Sequence, residues 1–252
     1  MDPITIALIA FLCMLAGILL GIFLQRALPP HHLSAESKDV LKLSMGVVAT
    51  LSALVLGLLV ASAKTSYDTR ESEVKQITAY LIIMDQLLAQ YGPDAQTARA
   101  DLRQLVGPMA DRIWNEGTKE TQSTPFKANA ESEAFYRSIQ GLQPQNDGQR
   151  DLKGRILQLY ADAAQARMFL FTRTGSSIPT LFLAVLMSWL TILFTGFSLT
   201  ARPNSTVVAA LLVCALTAAG AIFLVLELDQ PFLGLIALPD QPMRDALAPL
   251  SG

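Results

Sequence analysis

The residues whose chemistry stands out are two carboxylates, Glu227 and Asp229, which follow directly on a long apolar run. Negative charge is disfavoured at the C-terminal end of a helix, so carboxylates placed there need partners or solvent. The apolar stretch Phe232–Leu238 that follows is too short to span a bilayer. It predicts an interfacial or re-entrant segment that docks on an aqueous domain. The alternative is an ordinary helix end with solvated carboxylates, and the sequence leaves both open.

The other reactive side chains form no recognisable active site. His31 and His32 are adjacent in a loop, and adjacent residues do not share a helix face, so an ordinary loop is favoured over a metal or pH-sensing site. Cys13 and Cys214 lie inside apolar runs and indicate packing. The chain has no glycine-rich phosphate loop, no HExxH or CxxC motif and no nucleophile elbow. We therefore expect no enzyme, no bound metal and no cofactor.

The composition predicts a membrane protein. Only 16% of the 252 residues are charged, against about a quarter in soluble domains. The deficit falls in four apolar runs, each long enough for the roughly 20 helical residues that cross a bilayer. These runs are Ile4–Leu24, Leu41–Ala63, Ile178–Leu199 and Val207–Leu226. The first follows an acidic start and exceeds the apolar core of a signal peptide, so we expect it to be retained. A net charge of −2 without a clustered basic face argues against a nucleic-acid partner.

Between the second and third runs the pattern changes to amphipathic helix. The stripe of Val74, Ile77, Leu81, Met84 and Leu88 continues the second span, and no Gly or Pro interrupts the chain from Leu58 to Tyr91. We therefore predict one continuous helix from about Val40 to Tyr91, roughly 75 Å long, ended by Gly92-Pro93. Three more helices should follow, at about 95–114, 131–141 and 152–170.

The sequence thus predicts an all-α membrane protein: four transmembrane helices with a helical cytoplasmic domain inserted between helices 2 and 3. The divisions are residues 1–63, 64–174, 175–228 and an interfacial C-terminal segment, 229–252. Four crossings place both termini and the inserted domain on one side of the membrane. The basic residues near the spans favour the cytoplasm for that side.

Small residues recur three or four positions apart along the second span: Gly46, Ala53, Gly57 and Ala61, with Thr50 among them. Small residues let helix backbones approach closely in lipid, so helix packing is one interpretation. The other is that the second spans of several subunits surround an axis. Gly17 and Gly21 form a further small pair in the first span, for which packing suffices.

Three short motifs resemble those of the bestrophin family of anion channels. Glu227 and Leu228, followed by Pro231 and Phe232, resemble the Glu-Leu/Ile-x-x-Pro-Phe-Gly motif after that family's last span. Two further matches are Val55-Leu56-Gly57 with Thr65-Ser66-Tyr67-Asp68, and Ser177-Ile178-Pro179 at the start of the third span. Over nearly its whole length the chain resembles a bacterial inner-membrane family described as bestrophin-like.

The resemblance implies a pentamer of identical subunits in the bacterial inner membrane that conducts anions. It places Thr50, Leu54 and Leu58 at the channel neck, and their spacing of four keeps them on one helix face. These side chains are aliphatic or polar, whereas the family often has aromatic residues at the neck, which leaves the anion preference open. Cation selectivity is the alternative, because Glu227 and Asp229 could lie near a vestibule of the channel. The alternative function is a non-conducting membrane scaffold or regulatory protein whose cytoplasmic helical bundle binds a partner.

One departure from the family concerns calcium. Relatives under calcium control carry a dense acidic run after the Pro-Phe-Gly motif. Here Leu233-Gly234-Leu235-Ile236 stands in that place and leaves only Asp240 nearby. Calcium takes six to eight oxygen ligands, so we expect no calcium site in this segment.

Overall fold

The computed structural model describes residues 2–29, 34–114, 130–172, 178–201, 204–232 and 234–247. Within these ranges the regular structure is helical, without strands, as the sequence predicts. The helices are α1 (Pro3–Ala27), α2 (Ala35–Tyr91), α3 (Gln96–Trp114), α4 (Ala130–Gly141), α5 (Asp147–Thr172), α6 (Thr180–Thr200), α7 (Ser205–Leu228) and α8 (Gln241–Arg244). Single 3₁₀ turns cover Pro93–Ala95 and Asp245–Leu247. His31, His32, Ser177 and Leu233 lie outside the described residues.

Four of these helices, α1, α2, α6 and α7, are long and apolar enough to cross a membrane, in agreement with the predicted spans. Local chemistry explains where they start. Pro3 occupies the first turn of α1, where its missing N–H removes no helical hydrogen bond. The Asn204 side chain accepts a hydrogen bond from the backbone N–H of Val207 at 2.8 Å and so caps α7.

The continuous second helix is confirmed, because α2 runs unbroken for 57 residues. It ends at Gly92, whose φ of 112° and ψ of −168° lie in a region that is essentially restricted to glycine. Pro93 then starts a 3₁₀ turn, since proline is tolerated at the first position of a helix.

The chain divides into two units: Met1–Ser66 with Ser176–Asp229, and Tyr67–Gly175 with Gln230–Gly252. In the first unit α1 packs on α6 and α7, and its Ala10, Met14 and Ile18 are buried at intervals of four. A Cβ atom added at Gly17 would lie 2.7 Å from the Thr191 carbonyl oxygen, closer than real Cβ contacts allow. The packing role expected for Gly17 is therefore confirmed.

In the second unit the stripe of α2 forms the core with α3, α4 and α5. Ile77, Leu81, Met84 and Leu88 are each at most 1% exposed, as expected from their spacing. They share one cluster with buried residues of the other three helices: Leu102, Leu105 and Ile113 of α3, Phe135 and Ile139 of α4, and Ile156 of α5. These helices bury their apolar faces against one another, the arrangement expected for an amphipathic bundle.

Candidate functional site

The transmembrane part of α2 has a buried side. Met45, Ser52, Leu59 and Ala63 are buried, and at about 100° per residue they fall on one face of the helix. Met45 packs at Gly196 of α6, where any side chain would overlap its thioether. The Ser52 hydroxyl donates to the Val48 carbonyl at 2.8 Å, so burial leaves it satisfied. This face fixes the rotation of α2 within the first unit.

The predicted neck residues lie on the opposite face. Thr50, Leu54 and Leu58 are roughly 180° around the helix from the buried residues. All three are exposed in the single chain, Leu54 to 71% and Leu58 to 62%. The Thr50 hydroxyl donates to the Gly46 carbonyl at 2.9 Å. The spacing therefore places these three side chains together, on a face that the rest of the subunit does not cover.

The small residues predicted to pack lie beside that face. Ala53 and Ala61 are exposed. A Cβ atom added at Gly46 or Gly57 would meet no described atom within 4 Å. Within the described chain, therefore, no helix packs against this stripe, in contrast to Gly17 and Gly21 of α1.

The α2 surface is uncharged over the whole width of a bilayer, because residues 43–63 contain no ionisable side chain. Lys42 borders it at one end and forms an exposed ion pair with Asp39, with 3.2 Å between Nζ and Oδ1. Lys64 borders it at the other end.

Glu227 and Asp229 are buried, with exposures of 3% and 6%, and both have interaction partners. The solvated helix end considered from the sequence is therefore wrong, because these carboxylates are withdrawn from water. The Asp229 backbone N–H continues the helical pattern by donating to the Val225 carbonyl at 3.2 Å.

The segment after α7 docks on the helices of the second unit, as predicted. Phe232 makes an edge-to-face contact with Trp114, with 5.8 Å between ring centroids. The Trp114 indole N–H donates to the Leu238 carbonyl at 2.7 Å, and the Leu238 N–H donates to the Pro231 carbonyl at 2.7 Å. Sequence reasoning missed Trp114, although an isolated Trp at the end of an apolar helix face is a signal for such a contact.

Arg244 also holds this segment in place. Its guanidinium donates to Asp240 within the segment and to Asp111 of α3. The hydrogen bond from Arg244 lowers the pKa of Asp240, and the bonds to Asp111 and then Asp240 raise the pKa of Arg244. Asp240, the carboxylate left for a calcium ligand, is thus engaged by an arginine. No local sequence pattern indicates this pairing across α3 and α8.

The family model described as the Bestrophin-like domain matches residues 12–243 of this chain. The fold is similar to the crystal structure of a point mutant of a bacterial bestrophin homologue from Klebsiella pneumoniae, with a TM-score of 0.63 and 14% identity over 97% of this chain and 95% of that one. No curated protein matches. The chain belongs to the Bestrophin-like family.

Proposed function

We propose that the chain is one subunit of a homo-oligomeric ion channel whose pore is lined by α2, with Thr50, Leu54 and Leu58 at the neck. The observation that carries this proposal is the face of α2 turned away from its own subunit. That face is uncharged and exposed, and it is bordered by glycines with open space around them. A neighbouring α2 could approach along the glycines and leave the leucines facing a common axis.

Such a neck would control ions by wetting. A ring of leucine side chains offers nothing in place of an ion's hydration shell, so a narrow ring excludes water and a wider one admits it. The Thr50 hydroxyl, bonded to the Gly46 carbonyl, would supply one polar level beside the leucines. Conduction would then be passive, without catalysis, which agrees with the lack of an enzymatic motif in the sequence.

Anion conduction, a pentamer and the bacterial inner membrane, with the second unit in the cytoplasm, form the finer part of the proposal. The family resemblance supports all three. The burial of Glu227 and Asp229 supports anion preference further, because buried, partnered carboxylates provide no exposed negative ring to attract cations.

The test is ion flux into liposomes that contain the purified oligomer. Leu54→Ala and Leu58→Ala should each widen the neck and raise chloride flux, and Leu54→Ser should act in the same direction by making the ring easier to wet. Leu216→Ala is the matched control, since Leu216 is an exposed leucine of α7, and it should conduct as wild type.

Two outcomes would contradict the proposal. Unchanged flux in both leucine variants, in oligomers of wild-type size, would mean that these leucines face lipid. No flux from assembled wild type in either chloride or cation gradients would favour the scaffold alternative, in which the cytoplasmic bundle recruits a partner.

A further inference from the structure

Arg167 of α5 is a half-buried cation in the second unit. Its Nη1 atom donates to the Ser132 hydroxyl of α4 over 3.4 Å, a long contact. In the ranges that the structure describes, no carboxylate bonds to Arg167. Removing a charge from water costs free energy unless an opposite charge or several strong hydrogen bonds replace the water. One long bond to a neutral hydroxyl does not supply that.

The electrostatic surroundings of Arg167 also favour an anion at this position. Burial is the largest influence on Arg167 and lowers its pKa, Tyr160 raises it, and the positive charge of Arg112 lowers it again. Arg112 has other interaction partners, and its effect on the pKa of Arg167 comes from its positive charge. An anion beside Arg167 would offset both unfavourable influences by adding an attractive charge interaction. The location therefore favours binding of negative charge.

Hydrogen-bonding groups that could complete such a site are already in place. The Ser132 side chain is buried, and its hydroxyl accepts from Arg167, so its own hydrogen can turn towards a bound acceptor. The Tyr160 hydroxyl donates to the Ser132 carbonyl at 3.3 Å, which ties α5 to α4. Tyr160 also stacks on Tyr136, with 5.4 Å between ring centroids. Ser132 and Arg167 are thus held across the contact between the two helices.

Among the described residues, Glu133 is the carboxylate whose charge influences a pKa in this cluster. It contributes to the raised pKa of Tyr160, behind burial and after the opposing effect of Arg167. It is not among the groups that shift the pKa of Arg167. Among the described residues, therefore, the carboxylate of this cluster acts on Tyr160, and none acts on the Arg167 guanidinium.

We propose that Arg167 and Ser132 together bind a phosphate-type oxyanion in the second unit. The guanidinium presents parallel N–H groups that match two oxygens of a phosphate, and the serine hydroxyl can donate to a third. The phosphate has two possible sources, dissolved inorganic phosphate and the headgroup of an anionic lipid. The second is available because α5 is the helix that precedes the third span.

The experiment measures thermal unfolding of the full-length oligomer in nanodiscs by tryptophan fluorescence. One arm uses phosphatidylcholine and titrates inorganic phosphate against chloride at equal ionic strength. The other omits phosphate and compares phosphatidylglycerol with phosphatidylcholine. A ligand that binds only the folded state raises the Tm, and the arm that responds identifies the source. The readout is independent of ion conduction, so the result stands whether or not the chain is a channel.

Arg167→Gln should weaken the response about tenfold or more, the effect of losing charge-assisted hydrogen bonds. Ser132→Ala should weaken it less, and it decides the matter if Arg167→Gln fails to fold. Arg155→Gln is the matched control, because Arg155 is an exposed arginine on the same helix, and it should respond as wild type. A wild type that responds in neither arm, or equal responses in wild type, Arg167→Gln and Ser132→Ala, would overturn the proposal.

Discussion

The buried carboxylate of Asp85 offers a sharp test of how the second unit is held together. Asp85 is fully buried among the apolar residues of α2. Arg99 of α3 binds it through two hydrogen bonds of 2.8 Å, from Nε to Oδ1 and from Nη2 to Oδ2. Arg103 stands behind it, with Nε 3.7 Å from Oδ1. The hydrogen bond to Asp85 is the main reason that the pKa of Arg99 is raised.

Removal of Arg99 should lower the free energy of unfolding more than removal of Asp85. Arg99→Ala leaves a buried carboxylate with only the more distant Arg103, and breaking a buried pair in this way costs about 3–5 kcal/mol. The Arg99 side chain is 29% exposed, and that of Asp85 is 0% exposed. In Asp85→Ala the arginine can therefore turn to water, and the loss should be nearer the 1.5–3 kcal/mol of charge-assisted hydrogen bonds.

Thermal unfolding of the full-length protein in detergent, followed by tryptophan fluorescence, measures the difference. A loss of 3 kcal/mol corresponds to a fall in Tm of roughly 6–12 °C for a protein of this size. Arg155→Ala, an exposed arginine on α5, should change the Tm little. If Asp85→Ala destabilised the protein as much as or more than Arg99→Ala, the argument from carboxylate burial would be wrong.

Three other predictions concern the second unit. Tyr91 is buried, and its hydroxyl has no hydrogen-bond partner in the described part of the chain, so Tyr91→Phe should raise the free energy of unfolding by about 1 kcal/mol at neutral pH. Burial and then Asp94 raise the pKa of Tyr91 above its unfolded value, so wild type should lose stability as the pH rises above about 10, and the Phe variant should lose less over that range. Micromolar calcium should change neither flux nor Tm, and a calcium response abolished by Asp240→Ala would refute this. A cysteine at exposed Gln145, with both native cysteines replaced, should resist an impermeant thiol reagent in intact spheroplasts; labelling there would reverse the proposed orientation.

The elements of this fold could be predicted because their signals are local. The stripe from Val74 to Leu88 and the lack of helix breakers after Gly57 specify one continuous helix, which α2 is. Gly92-Pro93 specifies its end, since the backbone there takes a conformation that suits only glycine. Periodicity and turn chemistry act within a few residues, so one sequence suffices to recognise them.

The contacts between elements could not be predicted in the same way. Asp85 interrupts an otherwise apolar environment, but its partner Arg99 depends on how α3 packs back after the turn, which no local pattern encodes. The bond from Trp114 to the Leu238 carbonyl joins residues that are 124 positions apart. The burial of Glu227 and Asp229 likewise depends on distant residues that surround them. Charged and aromatic side chains in unexpected places marked these sites without identifying their partners.

The two sets of small residues show how one sequence signal can have two structural meanings. Gly17 and Gly21 of α1 are in contact with α6, so their lack of a side chain is explained inside the subunit. Gly46 and Gly57 of α2 have the same character but meet no described atom within 4 Å of an added Cβ. Lipid chains fill space around any side chain and gain nothing from a glycine, whereas a second helix gains close contact. The open space at the α2 glycines therefore supports the proposal that a neighbouring subunit packs there. In the proposed homo-oligomer, that neighbour would be a second α2, and Leu54 and Leu58 would then face a shared axis.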